Sequence, residues 1–296
     1  MIHTQENYGI RKEAQEFPMM IVLSFSYVCN AKCPNCPYNN SNIRDDYKNS
    51  KFMPWELFKK IADEAGQYGT VLRFSGGGEP MLNPNIEKCV TYANQIGCKT
   101  SIITNGSVMT LPKLDKADTV EFSVDAGCED EYNMARPGLN WAKLNQNVIQ
   151  QKKYGKSKII ASIINQKGID VAKAEEYWRD KVDKVQIRKY LTWGYNEDKS
   201  ADPTPYLPPE KHIPCPWLFE RLNIDSFGNV TFCGEDIAFQ YKFANINNKS
   251  IKDIWLGEEF QNIRKKHLTN EGHTIQMCSK CPDWKYRTWT YNYWKL

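Results

Sequence analysis

Long apolar runs are missing from this chain. Nothing in its 296 residues approaches the ~20 consecutive apolar residues of a membrane span. Met1 to Glu16 is polar with mixed charge and no apolar core, so no secretory signal is expected. Charge of one sign is scarce as well. A net charge of +4 offers no clustered basic face, which argues against nucleic acid as a partner, as the missing spans argue against a membrane. Internal repeats and low-complexity tracts are absent. A hydrophobic share of 41% and a charged share of 25% are ordinary for a soluble globular protein, and a cytoplasmic location is expected. The length allows one large domain, or one domain with an appendage.

Cysteine is what the chain does have. Ten cysteines in a cytosolic protein argue against a disulfide framework and for metal or redox chemistry. Seven fall in two groups: Cys29, Cys33 and Cys36 near the start, and Cys215, Cys233, Cys278 and Cys281 near the end. The first group reads Cys-Asn-Ala-Lys-Cys-Pro-Asn-Cys, so three thiolates can hold one metal centre from a single loop. A structural zinc site is closed by four ligands, whereas three leave a position open. A four-iron cluster on three cysteines likewise leaves one iron free. The plainer reading is half of a zinc site completed from elsewhere. Of the other cysteines, Cys89 falls on the apolar side of an expected helix and Cys98 at the rear end of a strand, as buried fillers do.

Six short apolar runs alternate with helical patterns: Met19–Ser26, Thr70–Ser75, Lys99–Thr104, Thr119–Val124, Lys158–Ile164 and Lys184–Tyr190. Between them, helices are expected from Pro54 to Ala65, from Pro84 to Ile96 with Asn83 as the cap, around Leu111–Ala117, from Trp141 to Tyr154 with Trp141, Leu144, Val148 and Ile149 inward, and over Val171–Trp178. Such alternation implies an α/β fold with a parallel sheet and right-handed crossovers. Six units are too few for a closed eight-fold barrel, so a partial (β/α)6 TIM-like barrel is expected. The chemically useful residues gather at the strands' C-terminal ends: the cysteines, Gly76–Glu79, Thr104 and Asn105, Ser123 and Asp125, Asn165, and Arg188 with Tyr190. That rim is where parallel barrels keep their chemistry.

Between Thr192 and Pro216 prolines crowd the chain, which reads as a linker. Beyond it, Arg221–Asp225 and Asn229–Cys233 form an expected β-hairpin, and Ser250 caps a helix whose buried side carries Ile254, Trp255, Phe260 and Ile263. The expected domains are 1–192, a linker over 193–214, and a small C-terminal unit over 215–296. The aromatic tail from Trp284 to Trp294 suits packing against the barrel mouth better than stacking on bases.

Cys29-x3-Cys33-x2-Cys36 directly after a first strand, with Tyr38 just beyond, resembles the radical S-adenosylmethionine enzymes. Gly76-Gly77-Gly78-Glu79-Pro80 after the second strand resembles their glycine-rich methionine-binding motif, and the likeness spans Pro18 to Tyr190. The resemblance implies a [4Fe-4S] cluster on the three cysteines whose free iron binds S-adenosylmethionine. It implies reductive cleavage to a 5′-deoxyadenosyl radical, hydrogen abstraction from a substrate, and an electron donor such as flavodoxin or ferredoxin. Carried over residue by residue, it implies cofactor contacts at Tyr38, Gly76, Gly77, Gly78 and Glu79, at Asn105 for the ribose, and at Ser123 and Arg136 for the methionine carboxylate. Cys215, Cys233, Cys278 and Cys281 resemble the shortened auxiliary-cluster appendage, called twitch, of the SPASM branch, and imply an auxiliary [4Fe-4S] cluster; a structural zinc ribbon is the alternative. The chain ends too soon after Cys281 to supply the cysteines of a second auxiliary cluster.

The cysteine spacing is similar to that of 2-deoxy-scyllo-inosamine dehydrogenase, which implies oxidation of an alcohol on a small sugar-like or cyclitol-like substrate. The base would lie on the wall marked by Asn165, Arg188 and Tyr190. A radical epimerase is the near rival and needs a cysteine hydrogen donor, for which Cys128 is the candidate. Peptide modification is a third reading, weakened because about 18 residues precede the first strand. A zinc-binding interaction module remains the reading from a different class.

Overall fold

The computed structural model describes residues 14–40, 51–192, 200–201, 208, 212–279, 281 and 283–284. Most of the proline-rich linker, much of the loop after Asn39 and the aromatic tail beyond Trp284 lie outside the described residues.

Six parallel strands form the body: β1 (Met20–Ser26), β2 (Val71–Gly77), β3 (Lys99–Thr104), β4 (Thr119–Ser123), β5 (Lys158–Asn165) and β6 (Lys184–Lys189). They pair in the order of the chain, β1 to β2 through β5 to β6, with helices in every crossover but that from β3 to β4. The pleat explains the two faces of β1. Ile21, Leu23 and Phe25 point outward to the helices, where the Phe25 ring meets Phe74 edge-on at 4.8 Å and Phe58 at 6.1 Å. Val22, Ser24 and Ser26 point the other way, into the barrel. The result is a partial TIM-like barrel of the α/β class.

The C-terminal unit is joined to the barrel through the sheet itself. β7 (Arg221–Ile224) pairs in parallel with β1, with Met20 opposite Arg221 and Leu23 opposite Ile224. β8 (Asn229–Thr231) pairs antiparallel with β7 and β9 (Ala244–Asn245) with β8, so the described residues make one sheet of nine strands. The expected hairpin is therefore the continuation of the barrel's open edge. β1, an edge in a six-stranded sheet, is thereby covered on both sides.

Several local expectations differ from the structure. Leu111–Ala117 forms turns, since so short a segment gains too few hydrogen bonds to offset helix nucleation. The helix expected from Pro84 with Asn83 as its cap starts at Ile86, and Asn83 donates its amide to the Phe25 carbonyl instead, at 3.0 Å. A helix over Glu129–Ala135 was not expected, although Glu129, Asp130 and Glu131 in its first turn suit a helix N-terminus. In the Trp141–Tyr154 helix Ile149 is exposed, while Asn147 is buried and donates to the Gly106 carbonyl at 2.7 Å. The helix at Ser250 breaks at Gly257 into Ile251–Leu256 and Glu258–Leu268, where the backbone is extended.

Candidate functional site

The cysteine loop leaves the C-terminal end of β1. Ser26 turns it by hydrogen bonds in both directions: its hydroxyl donates to the Val28 carbonyl at 3.0 Å, and the Val28 N–H donates back at 3.2 Å. The glycine loop after β2 lies against this turn. A Cβ on Gly78 would stand 2.4 Å from the Val28 carbonyl oxygen, and one on Gly77 2.8 Å from that of Ser26. Gly76 and Gly77 also hold φ at +82° and +69°, conformations that favour glycine. Backbone thus meets backbone one residue before Cys29, and the Glu79 N–H closes the contact by donating to Val28 at 2.8 Å.

Glu79 is buried and fully engaged. Its carboxylate accepts from the Thr104 hydroxyl at 2.7 Å, the Asn105 N–H at 2.7 Å and the Met81 N–H at 3.0 Å. It braces the second loop against the third. Burial pushes its pKa up, although these three donors and Arg136 oppose the shift. Asn105 reaches the cysteine loop: its amide donates to Asn30 at 3.0 Å, and Asn30 donates to the Ser107 hydroxyl at 2.8 Å. Tyr38 is buried with its ring 6.3 Å from Tyr27 and with Ile237 of the C-terminal unit in the same apolar cluster.

Arg136 faces the cysteines. Its Nη1 donates to the Cys33 Sγ at 3.6 Å, while Nε and Nη2 hold Asp125 Oδ2 at 2.7 Å each. Asp125 is buried, sits at φ 55° and accepts the Ile164 N–H at 3.1 Å on its other oxygen. It therefore fixes Arg136 between the ends of β4 and β5 and the cysteine loop. The sequence reading placed Asp125 on the rim without giving it this role. Ser123 lies on the same wall, opposite Ser162 of β5.

The three thiols fit a cationic iron–sulfur centre by their chemistry. Burial pushes Cys36 up to about 11, and Cys33 adds to the shift; burial likewise raises Cys29. Such thiols ionise when a metal takes the place of the proton, with a cation nearby to stabilise the set. Among the described residues no group of three or more His, Cys, Asp or Glu side chains has the spacing of a single-ion site. A cluster that gives each iron its own cysteine asks for a wider spacing.

The second group also converges. Cys215 precedes a short 3-10 helix, Pro216–Phe219, and Cys233 follows β8. Burial raises Cys278 and Cys281 strongly; Cys215 adds to the first, and Cys233 and Cys215 add to the second, which places the thiols within electrostatic range of one another. The Cys215 N–H donates to His267 Nδ1 at 3.3 Å, and Trp284 stacks between His212 at 3.9 Å and His267 at 5.0 Å. Asp283, next to the last pair, accepts from the Thr192 N–H and hydroxyl, both at 3.1 Å, tying this group to the end of β6.

A cavity of about 240 Å³ is lined by residues of β1 to β7. Asp125 and Arg136, beside the first cysteine group, line it together with Trp217 and Gly234, close in sequence to Cys215 and Cys233, and with Ser123, Arg188 and Tyr190. Cys128 and Asn165 are not among its lining residues; Cys128 stands at the N-cap of the Glu129–Ala135 helix. Below the rim Arg73, Glu121 and Arg188 form a buried network. Arg188 grips Glu121 with Nε at 2.7 Å and Nη2 at 2.6 Å, Arg73 holds it with Nη2 at 2.7 Å, and Arg188 also reaches Ser162 at 2.9 Å. Arg73 and Glu121 had no assigned role, yet a charged residue inside a buried strand is itself a signal.

Burial alone would raise the Glu121 pKa, but Arg188 and then Arg73 more than offset it and hold the carboxyl at about 2, against an ordinary 4.5. A carboxyl depressed on folding contributes stability above its unfolded pKa and loses it as pH falls through the folded one. The Tm difference between the wild type and Glu121→Gln is therefore expected to shrink as pH falls from about 6 to about 3. Thermal scans across that range check this, and a constant difference would contradict the pairing.

Comparison with known proteins agrees with this geometry. Residues 23–177 match the family described as the Radical SAM superfamily, and residues 215–282 match SPASM, described as an iron-sulfur cluster-binding domain. PqqA peptide cyclase of Xanthomonas campestris pv. campestris (strain 8004) is 21% identical over 318 residues, spanning 90% of this chain and 81% of that protein. SuiB of Streptococcus suis, bound to the precursor peptide SuiA, superposes with a TM-score of 0.70 at 16% identity, over 88% of this chain and 68% of that one. BtrN in complex with AdoMet and 2-DOIA gives 0.55 at 20% identity, over 86% and 88%. At such identities the structural likeness speaks for the fold.

Proposed function

Because the chain belongs to the radical SAM superfamily and carries a SPASM domain, we propose that it is a radical oxidoreductase acting on a small polar molecule held in the barrel cavity, and that it oxidises an alcohol there. One observation carries the reading: the cavity is bounded by Arg136, which touches Cys33, on one side and by Trp217 and Gly234, neighbours of Cys215 and Cys233, on the other. When bound, S-adenosylmethionine and the first cluster supply a radical able to take a hydrogen atom, and the auxiliary cluster supplies an electron acceptor.

The chain's own residues position and exclude. Cys29, Cys33 and Cys36 hold the first cluster, and Cys215, Cys233, Cys278 and Cys281 the auxiliary one. Arg136, fixed by Asp125, and Ser123 take the methionine carboxylate, for which a guanidinium fork is suited. The glycine loop brings backbone beside Cys29. Alcohol oxidation also removes a proton. Arg188, clamped by Glu121 and Ser162, is a fixed cation that favours a deprotonated hydroxyl in the cavity, and Tyr190 lines the same wall. The cavity lining, which does not include Cys128, favours oxidation over epimerisation with that thiol as donor.

A second reading, modification of a peptide, is supported by the likeness to PqqA peptide cyclase across 90% of this chain. It shares the first cluster and its chemistry, and differs in the substrate.

Anaerobic turnover with candidate alcohols and peptides, followed by mass spectrometry, tests the proposal. A product lighter by a pair of hydrogen atoms, formed with 5′-deoxyadenosine, is expected; an isomer of unchanged mass that takes up solvent deuterium would overturn oxidation. Replacing Cys278 and Cys281 by Ser is expected to keep 5′-deoxyadenosine formation within about three-fold while product formation falls by about 100-fold or more. Equal loss of both would count against a separate role for the second cysteine group.

A further inference from the structure

We propose that His267 is a positioning residue for the auxiliary cluster: its imidazole holds the N–H of Cys215 away from the cluster's sulfur atoms and so keeps the reduction potential of that cluster low. The role rests on the reading that Cys215 is an auxiliary ligand, and gives that site a residue that sets how readily it takes an electron.

His267 belongs to the Glu258–Leu268 helix and is buried. Its Nδ1 accepts the Cys215 N–H at 3.3 Å. A ring that accepts on Nδ1 is the neutral tautomer, with its proton on Nε2. Arg264 stands three residues earlier on the same face of the helix. Its Nε donates to the Leu218 carbonyl at 2.9 Å. The helix therefore grips both ends of the turn that starts at Cys215. The other arm of the cysteine group is fastened to the same ring. Trp284, three residues after Cys281, stacks between His212 and His267, and its Nε1 donates to the Ile213 carbonyl at 2.7 Å. Gly272 closes the stack: a Cβ there would stand 3.1 Å from His267 Nδ1 and 3.0 Å from the Trp284 ring. The imidazole cannot swing its Nδ1 off Cys215 without disturbing both arms.

The consequence is electrostatic. Reduction adds negative charge to an iron–sulfur cluster, and an N–H aimed at one of its sulfurs stabilises that charge. Each such bond raises the potential. The N–H of a cysteine ligand lies close to its own Sγ and to the sulfurs around it, so it is a natural donor of this kind. In this chain it is engaged by a nitrogen instead. Packing alone does not call for a histidine here, since a phenyl ring would stack on Trp284 as well. The phenyl ring would also bury no polar atom. His267 Nε2 is buried and has no hydrogen-bond partner among the described residues, a desolvation cost that an apolar ring avoids. The imidazole is present for its other nitrogen, which meets Cys215.

The test is an anaerobic redox titration of the full, cluster-loaded chain, followed by electron paramagnetic resonance. The auxiliary signal is identified as the one lost in Cys215→Ala. His267→Phe keeps a flat ring against Trp284 and removes the acceptor. His267→Asn keeps an acceptor where Nδ1 stands. In His267→Phe the auxiliary midpoint is expected to rise. The ratio of reduced to oxidised cluster at a fixed poise then grows by about ten-fold, an upward shift of about 59 mV for one electron. In His267→Asn that ratio is expected to stay within about three-fold of wild type. Loss of auxiliary iron in His267→Phe, with retention and a near-wild-type midpoint in His267→Asn, also supports the proposal, because the acceptor then decides whether Cys215 is held for iron. An unchanged or lower midpoint in His267→Phe, equal shifts in the two variants, or equal loss of iron in both overturns it. Cys215→Ala separates the inference from the reading beneath it. Retention of both signals there removes Cys215 as a ligand, whereas loss of one signal with an unmoved midpoint in His267→Phe removes the role of His267 alone.

Discussion

Replacement of Cys29, Cys33 and Cys36 together by Ala is expected to abolish 5′-deoxyadenosine formation. The chain has no other cysteine between β1 and β2, and alanine offers no thiolate to bind iron. Anaerobically reconstituted wild-type protein is expected to be brown and to contain iron and sulfide. The variant is expected to lose the share of both that the first cysteine group holds and to keep the share held by Cys215, Cys233, Cys278 and Cys281. Product analysis by chromatography and iron determination on the same sample check both halves. Continued 5′-deoxyadenosine formation would sink the assignment, and colourless wild-type protein with stoichiometric zinc would move both cysteine groups to structural sites. The residual fold should survive, because the loop is anchored independently. Ser26 turns it, Glu79 closes on Val28, and Asn105 holds Asn30.

Glu121→Gln is expected to be strongly destabilising near neutral pH. The carboxylate is shared by Arg73, which is buried, and by Arg188, and both oxygens are in use. Removing one partner of a buried ion pair while leaving the other in place costs about 3–5 kcal/mol, since the remaining charge has lost its compensation. For a chain of this size that corresponds to a Tm lower by roughly 6–15 °C. Thermal scans at one scan rate, with cluster content held equal, provide the measurement. A shift of under about 2 °C would mean that solvent already compensates the arginines.

The two observations meet in one design. The rim of the barrel brings the cysteine loop, the glycine loop and Arg136 together, and the layer beneath holds the buried Arg73–Glu121–Arg188 network. The C-terminal unit is part of the same wall, for Trp217 and Arg221 reach the cavity only because β7 lies beside β1.

Much of this was legible beforehand. Alternating apolar runs and helical stripes are local patterns, so the six strands and the barrel class followed from them. The cysteine array spans eight residues, and its turn is governed by Ser26 and the glycine loop, both adjacent to motifs that are visible in the chain. The helix over Glu129–Ala135 was missed although its acidic first turn announced it, and Ile149 was placed inward because the stripe was read by hydrophobicity alone, where Asn147 and Gln151 fill the buried face. Glu79 carried a cofactor contact by resemblance, and its oxygens turn out to brace Thr104, Asn105 and Met81.

The order of the candidate ligands is written in the chain: three thiols in one turn, glycines after the next strand, four thiols at the end. Those features depend on neighbours within a few residues, where chain connectivity alone sets the geometry. Which charges meet depends on packing. Arg73 and Glu121 are 48 residues apart and Glu121 and Arg188 are 67 apart; they touch because the curved sheet points the same face of three strands at one axis. Arg136 reaches Cys33 across 103 residues for the same reason. Curvature and strand order are properties of the packed sheet, and no local pattern of side chains encodes them.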